Sequence, residues 1–255
     1  MIELKSPSQL QIMRRAGRVV GEILEALREA VRPGISTLEL DELALRLMIQ
    51  RKSKPAFKGY RGFPAHICTS INEEVVHGIP SQRRLKEGDI VGLDVGVVVD
   101  GYYGDAAITV PVGQITAEAA RLLQVTEESL AAGIAMATTG NRLSDISHAV
   151  QQAVESKGYS VVREFVGHGI GTQLHELPQI PNYGKPGSGP RLKEGMVLAI
   201  EPMVNQGGPE IEILPDGWTA VTKDGKLAAH FEHTVAVTSG APEILTECQK
   251  KKLFR

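Results

Sequence analysis

The sequence predicts an α/β fold of the α+β kind, with two copies of a helix-helix-strand unit around a curved, mostly antiparallel sheet. Three observations carry that prediction. RLKEGDIVGLD at 84–94 recurs as RLKEGMVLAIE at 191–201, with the first five residues identical and an acidic residue at the last position of both copies. Two segments of helical periodicity precede each copy, and strand-like apolar runs bearing carboxylates follow in each half. At 255 residues and 42% hydrophobic content the chain can bury a sizeable core as one large domain or two intimate halves. A duplicated unit of this kind covers one sheet face with helices and leaves a cleft on the other, where the halves meet.

The elements follow in order. Ser6 caps a first helix, with Pro7 at its first position and Gln9 completing a capping box, and the helix runs to about Ala30 before Pro33-Gly34. Thr37 to Ile49 reads as a second helix. DIVGLDVGVVVDGYYGDAAITV reads as a hairpin turning at Asp100-Gly101, a dipeptide suited to a two-residue type I′ turn. That register sets Val99 against Tyr102, Gly96 against Asp105 and Asp94 against Ala107. Asp94 and Asp105 become diagonal neighbours on one face, with Cβ atoms within about 7 Å of each other. Like charges so placed need protons, basic partners or cations, and Gly92, Gly96, Gly104 and Ala106 leave room for something bulky.

In the second half, Thr116 to Ala135 and Leu143 to Lys157 read as helices, with Gly140 between them. GHGIGTQLHELP at 167–178 sets His168 and His175 seven residues apart among glycines that make a helix costly. The two are either loop histidines or rings that a bend turns into one cavity. PNYGKPGSGP at 181–190 reads as a surface loop. Glu201 ends the apolar strand MVLAIEP at the repeat position of Asp94. KLAAHFEHTVAVTS reads as one strand, with Glu232, Thr234 and Ala236 on one side and Phe231, Val235 and Val237 on the other.

Four carboxylates thus lie on strand segments, and a loop histidine could add a nitrogen. Carboxylates can bridge divalent ions about 3.5–4 Å apart, and an oxygen-rich set with one imidazole suits manganese, iron, cobalt or zinc. There is no HExxH, no paired CxxC and no EF-hand loop. A formal charge of −2 with 4% aromatic residues argues against sequence-specific nucleic-acid binding, and the basic tail QKKKLFR reads as a solvated end. Cys68 and Cys248 cannot form a disulfide framework. No apolar run spans a bilayer, and MIELKSPSQLQIMRRAG lacks the features of a secretory signal. The expected setting is the cytoplasm, with no membrane association.

In order along the chain, HGIP at 77–80, DVGVVVDGYYGDAA at 94–107, GHGIGTQLHELP, AIEPM at 199–203 and FEHTVAVT at 231–238 resemble the methionine aminopeptidases of the short bacterial type I class. The resemblance runs from about residue 4 to about residue 248. It implies the pita-bread metallopeptidase fold, with residues 1–255 as a single catalytic domain whose pseudo-symmetric halves fall at about 4–110 and 111–248. Implied ligands of two divalent ions per chain (cobalt, manganese, iron or zinc) are Asp94, Asp105, His168, Glu201 and Glu232. His77 and His175 are implied as substrate-contacting histidines, and Tyr60, Phe63, Cys68, Leu174 and Trp218 as the pocket. Leu174 departs from the aromatic residue often found before the second histidine in that family, which loosens one wall.

The implied activity is removal of the first methionine from polypeptides whose second residue is small. Its partners are nascent polypeptide N-termini, with transient ribosome association, and the chain is expected to be a monomer. Glu201 is the candidate to move a proton from water to the leaving amine, His175 to donate to the oxyanion, and His77 to orient the scissile amide. His66, His148, His230 and His233 are read as structural or surface residues. Two other readings compete: an Xaa-Pro aminopeptidase or dipeptidase of the same fold, which often carries an extra N-terminal domain, and an inactive peptide-binding or scaffold protein. The second would be favoured by a missing ligand, and all five ligand positions are filled.

Overall fold

The computed structural model describes residues 2–247, so Cys248 and the QKKKLFR tail lie outside the described residues. Helix α1 (Pro7–Ala30) opens on the expected box, with the Gln9 amide donating to Ser6 Oγ and the Ser6 N–H donating to Gln9 Oε1. Ser36 and Glu39 form the same device at α2 (Thr37–Gln50). Thr116 caps α3 (Ala117–Ala135), and Asp145 reaches back to the Arg142 N–H at the start of α4 (Leu143–Glu155). α4 stops two residues short of the expected Lys157, where the chain turns through Gly158 at φ 84°.

The strands, numbered in chain order, are β1 (Lys54–Pro55), β2 (Cys68–Ile71), β3 (Glu74–Val76), β4 (Ile90–Val99), β5 (Tyr102–Pro111), β6 (Ser160–Val161), β7 (Gly167–Gly169) and β8 (Glu176–Ile180). They continue with β9 (Val197–Ile200), β10 (Met203–Asn205), β11 (Ile211–Ile213), β12 (Ala220–Thr222), β13 (Ala228–His230), β14 (Glu232–Ala236) and β15 (Glu243–Ile244). The main nine-stranded sheet runs β1-β4-β5-β14-β9-β7-β8, with β2 also on β4 and β15 on β14. Two three-stranded sheets, β13-β10-β6 and β11-β12-β3, complete the fold.

Alternation along β4 divides the faces. Val91, Leu93, Val95 and Val97 pack with Ala16, Val20, Ile23 and Leu27 of α1 in one core, each such burial being worth about 1.5–3 kcal/mol. Gly92, Asp94 and Gly96 therefore point to the opposite face. In the second half, α3 and α4 supply Leu130, Ile134, Leu143 and Ile146 against Leu198, Ile200, Phe231, Val235 and Val237.

The repeated RLKEG pieces do equivalent work. Leu85 N–H donates to the Ile35 carbonyl and Leu192 N–H to the Asn141 carbonyl, each just before the second helix of its half. Each copy then turns on a left-handed glycine, Gly88 at φ 90° and Gly195 at φ 89°. The halves join at β5 and β14 through only two register pairs, Glu232 with Ala107 and His233 with Ala106. Threonine hydroxyls latch that short ladder crosswise. Thr234 Oγ1 bonds the N–H and C=O of Asp105, and Thr109 Oγ1 bonds the N–H and C=O of His230.

The expected single strand over KLAAHFEHTVAVTS is broken in the structure. Residues 228–230 pair with β10 in a small sheet, whereas 232–236 join the main sheet, with Phe231 at the junction. At the break the Thr109 hydroxyl, and not a β5 backbone group, meets the N–H and C=O of His230, while that residue pairs in register with Met203 of β10. The expected sides nevertheless hold, because Phe231, Val235 and Val237 share the helical core. Thr234→Val keeps the volume but leaves the buried Asp105 N–H unpaired, so it should lower stability by about 1–3 kcal/mol in denaturant unfolding of metal-free protein. An unchanged midpoint would show that the hydroxyl latch does not join the halves.

Candidate metal centre

Cross-strand register builds the site. Asp94, Ala107 and Glu232 lie in one row across β4, β5 and β14, and side chains in one row share a face. Asp105 sits two residues from Ala107, on the same face. The next row holds Thr234, Ala199 and His168, and Glu201 follows Ala199 by two. The alanines leave space between the polar side chains.

Asp105, His168 and Glu232 are buried, whereas Asp94 and Glu201 are half-buried. One ligand atom each from Asp105, His168 and Glu232 lies within 4.8 Å of the other two. Glu201 Oε1 is 3.5 Å from His168 Nε2, and the Asp94 and Asp105 carboxyls share a hydrogen bond. All five residues expected as ligands are thus brought together. Asp94 Oδ1, Asp105 Oδ1 and Glu232 Oε1 are buried without a hydrogen-bond partner, a costly state for carboxylate oxygens. A divalent cation fits this donor set and satisfies those atoms.

The His168 imidazole is prepared for that role. Its Nδ1–H donates to the Gly169 carbonyl at 3.0 Å, so the Nε2 lone pair faces the carboxylates. Burial, then the neighbouring His175, push its pKa down to about 3, which keeps the ring neutral. Burial raises Asp94 to about 7, partly opposed by its hydrogen bond to Asp105. Burial and the surrounding carboxylates push Asp105, Glu201 and Glu232 well above the usual range.

The bend anticipated in GHGIGTQLHELP is present. β7 and β8 pair across it with a register shift between His168 and Gly169, and the two rings face each other with centroids 4.2 Å apart. A side chain at Gly169 would strike the Leu177 carbonyl, and one at Gly171 would strike Lys5. Glu176 ties the turn down, accepting from the Thr172 and Gln173 amides and from the buried Lys5 Nζ at 2.7 Å. His175 itself is exposed, and its Nδ1 bonds the Tyr60 hydroxyl at 2.8 Å. With Tyr60 donating, Nε2 carries the ring proton and is free to donate.

His77 stands on left-handed backbone, φ 62°, immediately after β3, a strained conformation of the kind found at functional sites. Its ring packs edge-on to Phe165 at 5.2 Å and Trp218 at 6.4 Å. Burial, then His175, push it down to about 4. Tyr60, Phe63, Cys68, Leu174 and Trp218 all belong to one apolar cluster, with Phe63 and Trp218 in edge contact at 5.1 Å. Cys68 pairs in register with Asp94, so this cluster adjoins the carboxylates. Burial and Asp94 raise its thiol well above the ordinary value, which removes nucleophilic character.

Sequence reasoning missed Phe57, Ile79 and Phe165 on these walls, and it did not single out His230. That residue is buried beside Glu201 and Glu232, where the sequence reading has a structural or surface histidine. The signal was available, since alternation carried back from Glu232 puts His230 on the same face. His66 binds the Asp41 carboxylate, His148 the Gly184 carbonyl and His233 the Thr246 hydroxyl, all away from the cluster.

The sequence pattern of metallopeptidase family M24 matches residues 11–239. The chain is 56% identical over 246 residues to methionine aminopeptidase 1 of Bacillus subtilis, covering 96% of this chain and 99% of that protein. It is 54% identical over 250 residues to the methionine aminopeptidase of Clostridium acetobutylicum, covering 98% and 100%. The crystal structure of methionine aminopeptidase from Thermotoga maritima superposes with a TM-score of 0.96 at 49% identity, over 97% of this chain and all of that one. The prolidase from Pyrococcus furiosus shares the fold, with a TM-score of 0.79 at 22% identity, and this chain covers 66% of it.

The raised carboxyls fix the sign of a pH effect. Near neutrality the metal-free cluster holds protons that a cation must displace, so affinity falls as pH drops below about 7. Manganese titrations at about pH 6.5 in buffers of different ionisation enthalpy should reveal proton release on binding. A binding enthalpy independent of buffer would contradict the protonated cluster.

Proposed function

The chain belongs to metallopeptidase family M24, with the bacterial methionine aminopeptidases, and from that premise we propose that it removes N-terminal methionine from nascent proteins and peptides whose second residue is small. The observation that carries the reading is the set of partnerless buried carboxylate oxygens turned toward one neutral imidazole. Asp94, Asp105, His168, Glu201 and Glu232 hold two divalent ions, drawn from cobalt, manganese, iron or zinc. When bound, the ions activate water and polarise the carbonyl of the first peptide bond. Residues 1–255 act as one catalytic domain with halves at about 4–110 and 111–248. It works as a cytoplasmic monomer that meets nascent N-termini and associates transiently with ribosomes. No described helix is long and apolar enough to cross a membrane.

The chain's own groups then divide the work. Glu201, half-buried and beside His168, takes the proton from water and hands it to the leaving amine. His175, with Nδ1 tied to Tyr60, directs Nε2–H at the developing oxyanion. His77, held between Phe165 and Trp218, orients the scissile amide. The apolar cluster of Tyr60, Phe63, Cys68, Leu174 and Trp218 receives the methionine side chain and excludes water from one flank of the cleft.

A peptide panel tests this reading. Met-Ala-X and Met-Gly-X should be cut far faster than Met-Leu-X or Ala-Pro-X, with activity lost on chelation and restored by divalent cobalt, manganese or iron. Equal kcat/KM for Met-Ala-X and Ala-Pro-X would favour a proline-directed peptidase instead. The two loop histidines should fail differently. His168→Ala should lose metal and activity together, whereas His175→Ala should keep its metal while kcat falls on the order of 10²-fold. Metal analysis beside steady-state kinetics decides, and loss of metal from the His175 variant would reverse the assignment.

A further inference from the structure

The mechanism above leaves His230 unused. The ring is buried, and its Nε2 has no hydrogen-bond partner. That nitrogen lies 3.8 Å from Glu201 Oε2 and 4.0 Å from Glu232 Oε2. The duplication explains its place. In the first hairpin Leu93 pairs with Ile108 and Asp94 with Ala107; in the second half Ile200 pairs with His233, which sets Glu201 beside Glu232. Thr109 and Thr234 make equivalent latches to the facing strand. In that frame His230 stands to Thr234 as Asp105 stands to Thr109. The second half therefore presents an imidazole where the first presents a carboxylate, and alternation turns both into the cleft.

We propose that His230 is a positioning residue whose Nε2–H is aimed at the Glu201 and Glu232 carboxylates and closes to donate to Glu201 when the site is loaded, fixing the Glu201 carboxylate with its other oxygen toward His168. The proposal rests on the reading of this cluster as a metal centre. Glu201 has one imidazole near each oxygen, His168 at Oε1 and His230 at Oε2, and only His230 can donate, because the His168 proton is held on Nδ1 by the Gly169 carbonyl. A neutral imidazole carries one proton. Placed on Nε2, it supplies a donor to the Glu201 and Glu232 carboxylates, and an outer hydrogen bond of this kind orients a ligand and strengthens its hold on the ion.

Three proteins test the assignment: the parent, His230→Leu, which keeps the bulk without a donor, and His230→Gln, which restores an N–H. Calorimetric titration with manganese, the absorption spectrum of the cobalt-loaded protein and steady-state kinetics are read on each. His230→Leu should bind manganese about 10–100-fold more weakly, and its loss of activity should fall on kcat more than KM. His230→Gln should stay within about threefold of the parent in affinity, against the 10–100-fold expected of a lost outer partner, with cobalt bands unchanged because no ligand has been exchanged. Parent-like binding by the Leu variant would overturn this proposal alone. So would altered cobalt bands in the Gln variant, which would make His230 a direct ligand. Should melting show the Leu variant unfolded, the Gln variant decides, and affinity about 10-fold or more below the parent overturns the proposal. Absence of manganese uptake by the parent would overturn the metal-centre reading and this proposal with it.

Discussion

Four carboxyl groups facing one space, two of them fully buried, cannot all ionise without positive charge among them. That repulsion is the constraint on which the rest of the structure depends. Among the described residues no lysine or arginine forms an ion pair with these four carboxyls, and the histidines beside them are held neutral by burial. Protons or divalent cations must supply the balance, and only cations give the cluster a chemistry of its own. Its formation therefore has a cost that the surrounding core has to offset, and the helices packed behind β4, β5, β9 and β14 provide that burial.

The duplication solves the geometric problem of delivering acidic groups to one point from distant parts of the chain. Each half ends its RLKEG turn in a strand whose alternate residues face the cleft, so Asp94 and Glu201 arrive as equivalents. Within the main sheet the halves then meet over only two register pairs, and β3 and β12 join them again in a small sheet. A longer regular ladder would close the sheet at Asp105. Threonine hydroxyls let the backbone part there without leaving its N–H and C=O groups unpaired. Symmetry is broken where chemistry differs: Ala107 of the first half corresponds to Glu232 of the second, Asp105 corresponds to His230, and the second half carries the glycine-lined bend that brings His168 and His175 together.

Much of this was legible in the sequence because its causes are local. Capping boxes at Ser6 and the hairpin register around Asp100-Gly101 follow from a few neighbouring residues, and alternation then places Asp94 and Asp105 without further information. The five candidate ligands and the pocket came from the ordered motifs. What could not be read depends on contacts between distant segments. At Phe231 the chain leaves β10, distant in the sequence, for the main sheet, and Thr109 of the other half meets the His230 backbone there. Lys5 clamps Glu176 from the other end of the chain, and Phe57 reaches the pocket through its packing against Gly96. Alternation along 226–239 was counted forward from Glu232 and not back to His230, which shares its face.

The central claim is that the buried carboxylates are shaped around a pair of cations. Anomalous diffraction from manganese-loaded crystals tests it most directly. The account predicts two peaks about 3.5–4 Å apart, both within the space bounded by Asp94, Asp105, Glu201 and Glu232, and one of them about 2.0–2.3 Å from His168 Nε2. A single peak, or peaks outside that space with the carboxyls still partnerless, would contradict it.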